Sequence, residues 1–305
     1  MSQPAPSRDA ELRGHLAMLV FSGLVAGSFS LGGRIANEID PMALTAIRFA
    51  LAAVVVFVIA LATKQIEKET FQAPWRFLCL GGLFAMYFVL MFEGLKTAHP
   101  VSTAAVFTLT PVMAAGFGWL VMRQVTNKGM ALGLCLGAVG ALWVIFRGDI
   151  EALLGFDVGV GELIFFIGCI AHALYIPMVP RLSRGEGVFA AAFGTMAGGA
   201  IVVALFGAGR IAKTEWSSLP FEVWLVLGYL VVFASVASIS LIQFASLRLK
   251  AANVMAYTYL IPSWVILWEF VLADDVPALV IVPGIALTIL ALVVLLRRNQ
   301  SPATP

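Results

Sequence analysis

Long apolar runs separated by short polar breaks make up almost the whole chain. About 20 residues of helix cross a bilayer core, and runs of about that size recur ten times, near 15–35, 42–62, 75–95, 101–122, 128–146, 158–179, 188–208, 221–247, 251–273 and 276–296. They are too long and too continuous for half-buried strands, which alternate with period two. Ten membrane-spanning helices are predicted. The first run is longer than the core of a signal peptide and lacks a small-residue cleavage site, so it counts as the first span.

Composition agrees. Hydrophobic residues make up 61% of the 305 and charged residues 12%, where a soluble domain carries about 25% charged. A formal net charge of +2 provides no polyelectrolyte face, so nucleic acid is not an expected partner. The expected partners are the lipid bilayer and a small-molecule solute. Cys79, Cys135 and Cys169 each lie in an apolar run without CxxC spacing and read as small buried hydrophobes. No metal and no cofactor is expected.

Placement of charge says more than its total. Basic loops stay cytoplasmic, and with both termini inside, 13 of the 19 lysines and arginines face the cytoplasm and 5 face out, Arg48 lying within the second span. This predicts an N-in, C-in protein of the cell (inner) membrane.

The halves also echo each other. Gly14-His-Leu aligns with Gly161-Glu-Leu and Arg34 with Arg181; further on, Phe92-Glu-Gly-Leu-Lys aligns with Phe244-Ala-Ser-Leu-Arg, Pro111 with Pro262, and Gly133 with Gly284. Chain order is kept and the offsets differ only by loop-sized insertions. Five spans per copy is an odd number, so the second copy enters from the opposite face, the inverted repeat that transporters use to open a central site to alternate sides. The expected organisation is a cytoplasmic tail at 1–14, one five-helix unit at 15–147, a second at 158–296 and a tail at 297–305.

Several segments carry a resemblance. Gly27-Ser-Phe and Pro41-Met-Ala-Leu-Thr-Ala-Ile-Arg48-Phe, the stretch from Phe92 to Ala105, Thr110-Pro111-Val, Gly129 through Gly140, and Gly161-Glu-Leu-Ile followed by Ala171, Ala173, Leu174 and Tyr175 together resemble the drug/metabolite transporter superfamily in its ten-helix, EamA-type branch. The likeness covers all ten spans, and its specificity lies in the ordered set. It departs where the family commonly has a Glu after spans four and nine and this chain has Gln124 and Asp275. The resemblance implies a substrate cavity between the repeats, lined chiefly by spans 1, 3, 4, 6, 8 and 9, with efflux of amino acids or related metabolites as a frequent task. Members that export aromatic and apolar amino acids are the most similar in character.

Polar groups near the midplane are expensive unless they face protein or a wet cavity. At 1.5 Å per residue, His172 lies ~21 Å along the sixth span, just past the centre, with Tyr175 on the same face, and Tyr257 sits ~9 Å up the ninth span. Tyr87, Ser235 and Ser238 also fall in the central third. These six are the expected substrate-binding residues, a lining that suits an apolar or aromatic side chain and not a polyanion. Packing or interfacial anchoring is the competing reading for each tyrosine. Glu93, Glu162 and Glu269 map to the outer ends of their spans, where solvation competes with function, and Arg48 is expected to pair with a carboxylate such as Glu38 or Glu93.

Gly23 and Gly27, Gly129, Gly133 and Gly137, and Gly194 and Gly198 recur at four-residue spacing as packing seams, leaving a monomer or weak dimer as the expected state. Pro111 and Pro262, at equivalent positions, are candidate gating hinges, since each frees a backbone carbonyl. A membrane enzyme is the rival class. It would need a nucleophile, base or metal cluster, but His15, His99 and His172 lie at different depths and neither HExxH nor GxSxG occurs.

Overall fold

The computed structural model describes residues 8–67, 71–123, 128–155, 158–246, 248, 254, 256–272 and 279–298. Among these residues every regular element is helical and none is a strand. In order they are α1 (Arg8–Ile35), α2 (Pro41–Ala62), α3 (Trp75–Gly94), α4 (Pro100–Phe107), α5 (Thr110–Met122), α6 (Lys128–Ile145), α7 (Ile150–Gly155), α8 (Val160–Leu182), α9 (Val188–Lys213) and α10 (Phe221–Val231). A π turn (Val232–Ala237), α11 (Ser238–Ser246), a 3₁₀ turn (Tyr257–Leu260), α12 (Ile261–Leu272), a second 3₁₀ turn (Leu279–Ile281) and α13 (Val282–Arg298) complete the chain. Gln124, Asp275 and residues 1–7 and 299–305 of the expected tails lie outside the described residues.

Among the described residues, eight stretches are long and apolar enough to cross a membrane, and Gly129–Ile145 and Tyr257–Leu272 are shorter apolar helices. Large side chains such as Leu205, Phe206 and Val271 are exposed on the outside of the bundle, which water would penalise and lipid solvates. This is a multi-pass membrane protein.

Local chemistry sets the helix ends. Asp40 caps α2, accepting from the N–H groups of Met42 (2.8 Å) and Ala43 (3.4 Å), with Pro41 supplying the fixed φ of a first helical residue. His99 and Pro100 open α4 in the same way, Nδ1 accepting from Val101 N–H at 3.4 Å. Asp149 caps α7 through the N–H groups of Glu151 and Ala152 at 2.8 and 3.0 Å. This helix lies between the expected units and no hydropathy run announces it.

Several expectations are corrected. Helix α1 begins at Arg8, well before residue 15, because Asp9 and Glu11 in its first turn suit the helix dipole. The sixth span runs on to Leu182 with Pro177 and Pro180 inside it, so Arg181 lies within the helix rather than after it. The fourth span is broken at Thr108–Leu109 just before Pro111, and the ninth tightens to 3₁₀ just before Pro262. Arg48 meets neither Glu38 nor Glu93. Glu93 takes Lys96 at 3.1 Å instead, one helical turn away on its own chain segment.

Close approach at glycines assembles the bundle. α3 lies on α9, where a Cβ at Gly81 would meet the backbone of Gly198 at 2.7 Å; α3 meets α8 at Gly94 and Gly161; α6 meets α13 at Gly140 and Gly284, each of which would set a Cβ 2.7 Å from the other's carbonyl oxygen. Helix α1 is stitched into the second half, with Tyr229 OH donating to Leu24 O (2.8 Å), Trp264 Nε1 to Ser22 Oγ (3.0 Å) and Trp268 Nε1 to Gly23 O (3.2 Å). In mirror fashion α8 packs on α3, α4 and α5 of the first half, and Ser102 Oγ donates to Glu162 Oε1 at 2.8 Å. Glu162 and Glu269 are both buried, so neither is the solvated helix-end carboxylate that the sequence allowed.

Both ends of the bundle carry latches between halves. At one end Arg76 pairs with Glu186 at 2.6 Å, their side chains 3% and 5% exposed, and donates to Leu182 O at 2.6 Å. At the other, Arg34 meets Glu222 at 2.6 Å and Arg210 meets Asp40 at 3.4 Å, both in the open. Burial works against the charged Glu186, but the Arg184 N–H and the Arg76 guanidinium outweigh it and hold this carboxyl below its usual value. A depressed carboxyl stabilises the fold above its unfolded pKa and stops doing so as pH falls through the folded one. Glu186→Gln is therefore expected to lower stability by about 2 kcal/mol at neutral pH. Melting curves in detergent check it, the gap to wild type closing as the medium is acidified through the carboxylate range.

Candidate functional site

At the junction of the two halves, α1, α3, α4, α8, the π turn with α11, and the turn at Tyr257–Leu260 enclose a cavity of about 170 Å³. These correspond to the spans that the resemblance singled out. The wall is aromatic. The Tyr87 and His172 rings stand 4.6 Å apart between centroids, Phe107 and His172 5.4 Å, and Phe84 stacks on Tyr175 at 5.0 Å with planes 25° apart. Helical spacing builds this wall, since Phe84, Tyr87, Phe88 and Met91 fall on one face of α3, as His172 and Tyr175 do on α8.

Polar groups are few. Ser28, Ser238 and Thr258 place hydroxyls on the lining. Ser238 donates back to Ala234 O at 3.0 Å, leaving its oxygen free to accept. His172 Nδ1 is buried without a hydrogen-bond partner among the described residues. Such an orphan costs about 1–3 kcal/mol unless a molecule in the cavity satisfies it. An apolar cavity of roughly 150 Å³ accepts a benzene ring, so this one fits a ring-sized group.

A second chamber of about 140 Å³ shares Phe84, Tyr175, Ile239 and Ile242 with the first and runs to Arg76, Ser183 and Glu186. The stacked Phe84–Tyr175 pair thus stands between the central cavity and one end of the bundle.

Of the six residues expected at the site, the structure brings Tyr87, His172, Tyr175 and Ser238 together on the cavity wall. Tyr257 points to α1 instead, its OH 2.9 Å from His15 Nδ1. Ser235 lies behind the wall, accepting from Arg48 Nε at 3.2 Å and donating to Leu230 O at 2.9 Å. Sequence reading passed over Phe84, Phe88 and Phe107. The aromatic stripe at Phe84, Tyr87 and Phe88 was the available signal, but it is hard to single out among 22 phenylalanines.

Fold and cavity together define a multi-pass helical membrane protein with a small, largely apolar cavity where its two halves meet. The chain belongs to the EamA-like transporter family, whose model matches it twice, over residues 12–146 and 159–297, and it is accordingly a transporter of the drug/metabolite superfamily. It is 29% identical over 228 residues to the uncharacterized transporter YyaM of Bacillus subtilis (strain 168), a match covering 73% of each protein. These family and relative names are those of transporters, not enzymes. One protein of known crystal structure, 21% identical, superposes with a TM-score of 0.67 over 96% of this chain and 99% of its own, which shows the same fold.

Proposed function

We propose that the protein exports apolar and aromatic amino acids across the cell membrane by alternating access, as a monomer or weak dimer, with its ten spans forming two inverted five-helix repeats and both termini cytoplasmic. The observation that carries this reading is the ring-sized aromatic cavity at the junction of the halves. The two family matches, together with the exchanged packing in which α1 sits in the second half and α8 in the first, support the repeat. Tyr87, His172, Tyr175 and Ser238 contact the solute; Tyr257 and Ser235 hold α1 and α2 around it.

In this orientation the second chamber leads to the cytoplasm. Arg76–Glu186 is then the inner latch, and Arg34–Glu222 with Arg210–Asp40 the outer one. Transport requires them to open in turn: the outer pairs are exposed and open readily, while the inner pair is buried and holds its end more firmly.

Pro111 and Pro262 are the hinges, each the second residue of an α segment that follows a break or 3₁₀ turn. With alanine at both positions, the freed carbonyls can close into regular helix and transport is expected to slow several-fold. Unchanged rates in proteoliposomes would remove the hinges from the account.

Uptake of radiolabelled amino acids into vesicles, with and without a proton gradient, tests the substrate class. Phenylalanine, tryptophan, leucine and similar residues are the expected substrates. Movement of phosphorylated or sugar-nucleotide solutes alone would overturn the proposal.

A further inference from the structure

Arg48 is completely buried within α2, inside the apolar bundle. A guanidinium carries five N–H donors, and this one makes two hydrogen bonds, from Nε to Ser235 Oγ at 3.2 Å and from Nη2 to Ala234 O at 3.4 Å. Its Nη1 has no partner among the described residues. Its Cζ lies 3.9 Å from the Phe88 ring centroid, which offsets part of the charge. No carboxylate among the described residues pairs with it. A buried cation without a counter-charge costs several kcal/mol, and where one is retained inside a membrane bundle it marks a binding site or a pathway.

Its neighbours say which. Of the three residues against which the guanidinium rests, Phe88 and Ala234 line the central cavity, while Ser235 lies behind it. Arg48 is therefore one side-chain layer behind the wall. The backbone there is a π turn, a rare bulge frequently found at functional sites, and it turns Ala234 O and Ser235 toward the guanidinium while Ser235 satisfies Leu230 O. The chemistry that would complete this guanidinium is an acceptor, best a charged one.

We infer that Arg48 is the anion subsite of the cavity, receiving the carboxylate of a solute whose apolar side chain lies among Tyr87, Phe107 and His172, with the Phe88 ring turning aside to admit it. Two parallel N–H bonds from a guanidinium suit a carboxylate. The inference rests on the reading of the cavity as the transport site and narrows its substrates to monocarboxylates.

The test is binding of 3-phenylpropionate and its neutral amide to purified protein, followed by intrinsic tryptophan fluorescence. Wild type should bind the carboxylate about tenfold more tightly, the scale of one charge-assisted hydrogen bond. Arg48→Gln should bring the two affinities together while amide binding persists, and Arg48→Lys should restore part of the preference. Equal affinities in wild type, binding of neither probe, or equal loss of both in a folded Arg48→Gln would overturn the anion site. The wild-type comparison needs no variant to fold. The two readings fail separately: carboxylate binding without amino-acid flux counts against transport, and flux without carboxylate preference counts against Arg48.

Discussion

His172→Ala is expected to lower phenylalanine flux in proteoliposomes by about tenfold or more while the protein stays folded. The imidazole packs by Tyr87, Phe107 and Phe84 around the cavity and carries a ring nitrogen whose hydrogen bond is unmet among the described residues. Its removal takes away one orienting contact, and about 1.4 kcal/mol is already a factor of ten. The side chain is only half-buried because it faces the cavity, so the loss of stability should stay near 1 kcal/mol. His172→Gln, which keeps a polar group at the wall, should retain more flux than alanine. Parallel flux and melting measurements separate a lost contact from a lost fold, and equal flux in wild type and His172→Ala would take this residue out of the site.

The largest effect on stability is expected at the contact between α3 and α9. A Cβ at Gly198 would overlap the carbonyl of Phe77 and come within 3.0 Å of Leu78 N, and one at Gly81 would lie 2.7 Å from Gly198 C. These obstacles are backbone atoms, so no rotamer change relieves them and the helices must separate. Gly198→Ala should cost about 3 kcal/mol or more, and valine at either position should leave little folded protein. Gly82, next along α3, is the control: its added methyl would meet only Val202 side-chain atoms at 3.7 and 3.8 Å. There alanine should be neutral or stabilise by up to about 1 kcal/mol through helix propensity. Size-exclusion profiles and detergent melting curves read all three. A stable Gly198→Ala would mean the helices approach less closely than described.

Much of this architecture can be read from hydropathy, because a bilayer penalises polar residues over a fixed thickness and so writes span length into the chain. What hydropathy cannot register is the backbone period inside an apolar run. The break before Pro111, the 3₁₀ turn before Pro262 and the π turn at Val232–Ala237 all lie in stretches that read simply as apolar. At the site, counting residues along a helix gives depth but not direction. His172, Tyr175, Tyr87 and Ser238, counted to the central part of their spans, also face the cavity; Tyr257 and Ser235, counted to a similar depth, turn to His15 and Arg48. For Arg48 the sequence offers carboxylates at a similar depth, Glu38 and Glu93, but depth alone does not give direction. Its hydrogen-bond partners, Ser235 and Ala234, come from the other half of the protein.

The most direct test of the central claim, that one cavity carries solute to alternate sides, is counterflow. Proteoliposomes loaded with unlabelled phenylalanine are diluted into trace labelled phenylalanine, with empty vesicles in parallel. A carrier that returns faster loaded than empty should accumulate label transiently in the loaded vesicles, well above the level in empty ones. Identical entry into both, or none into either, would contradict the account.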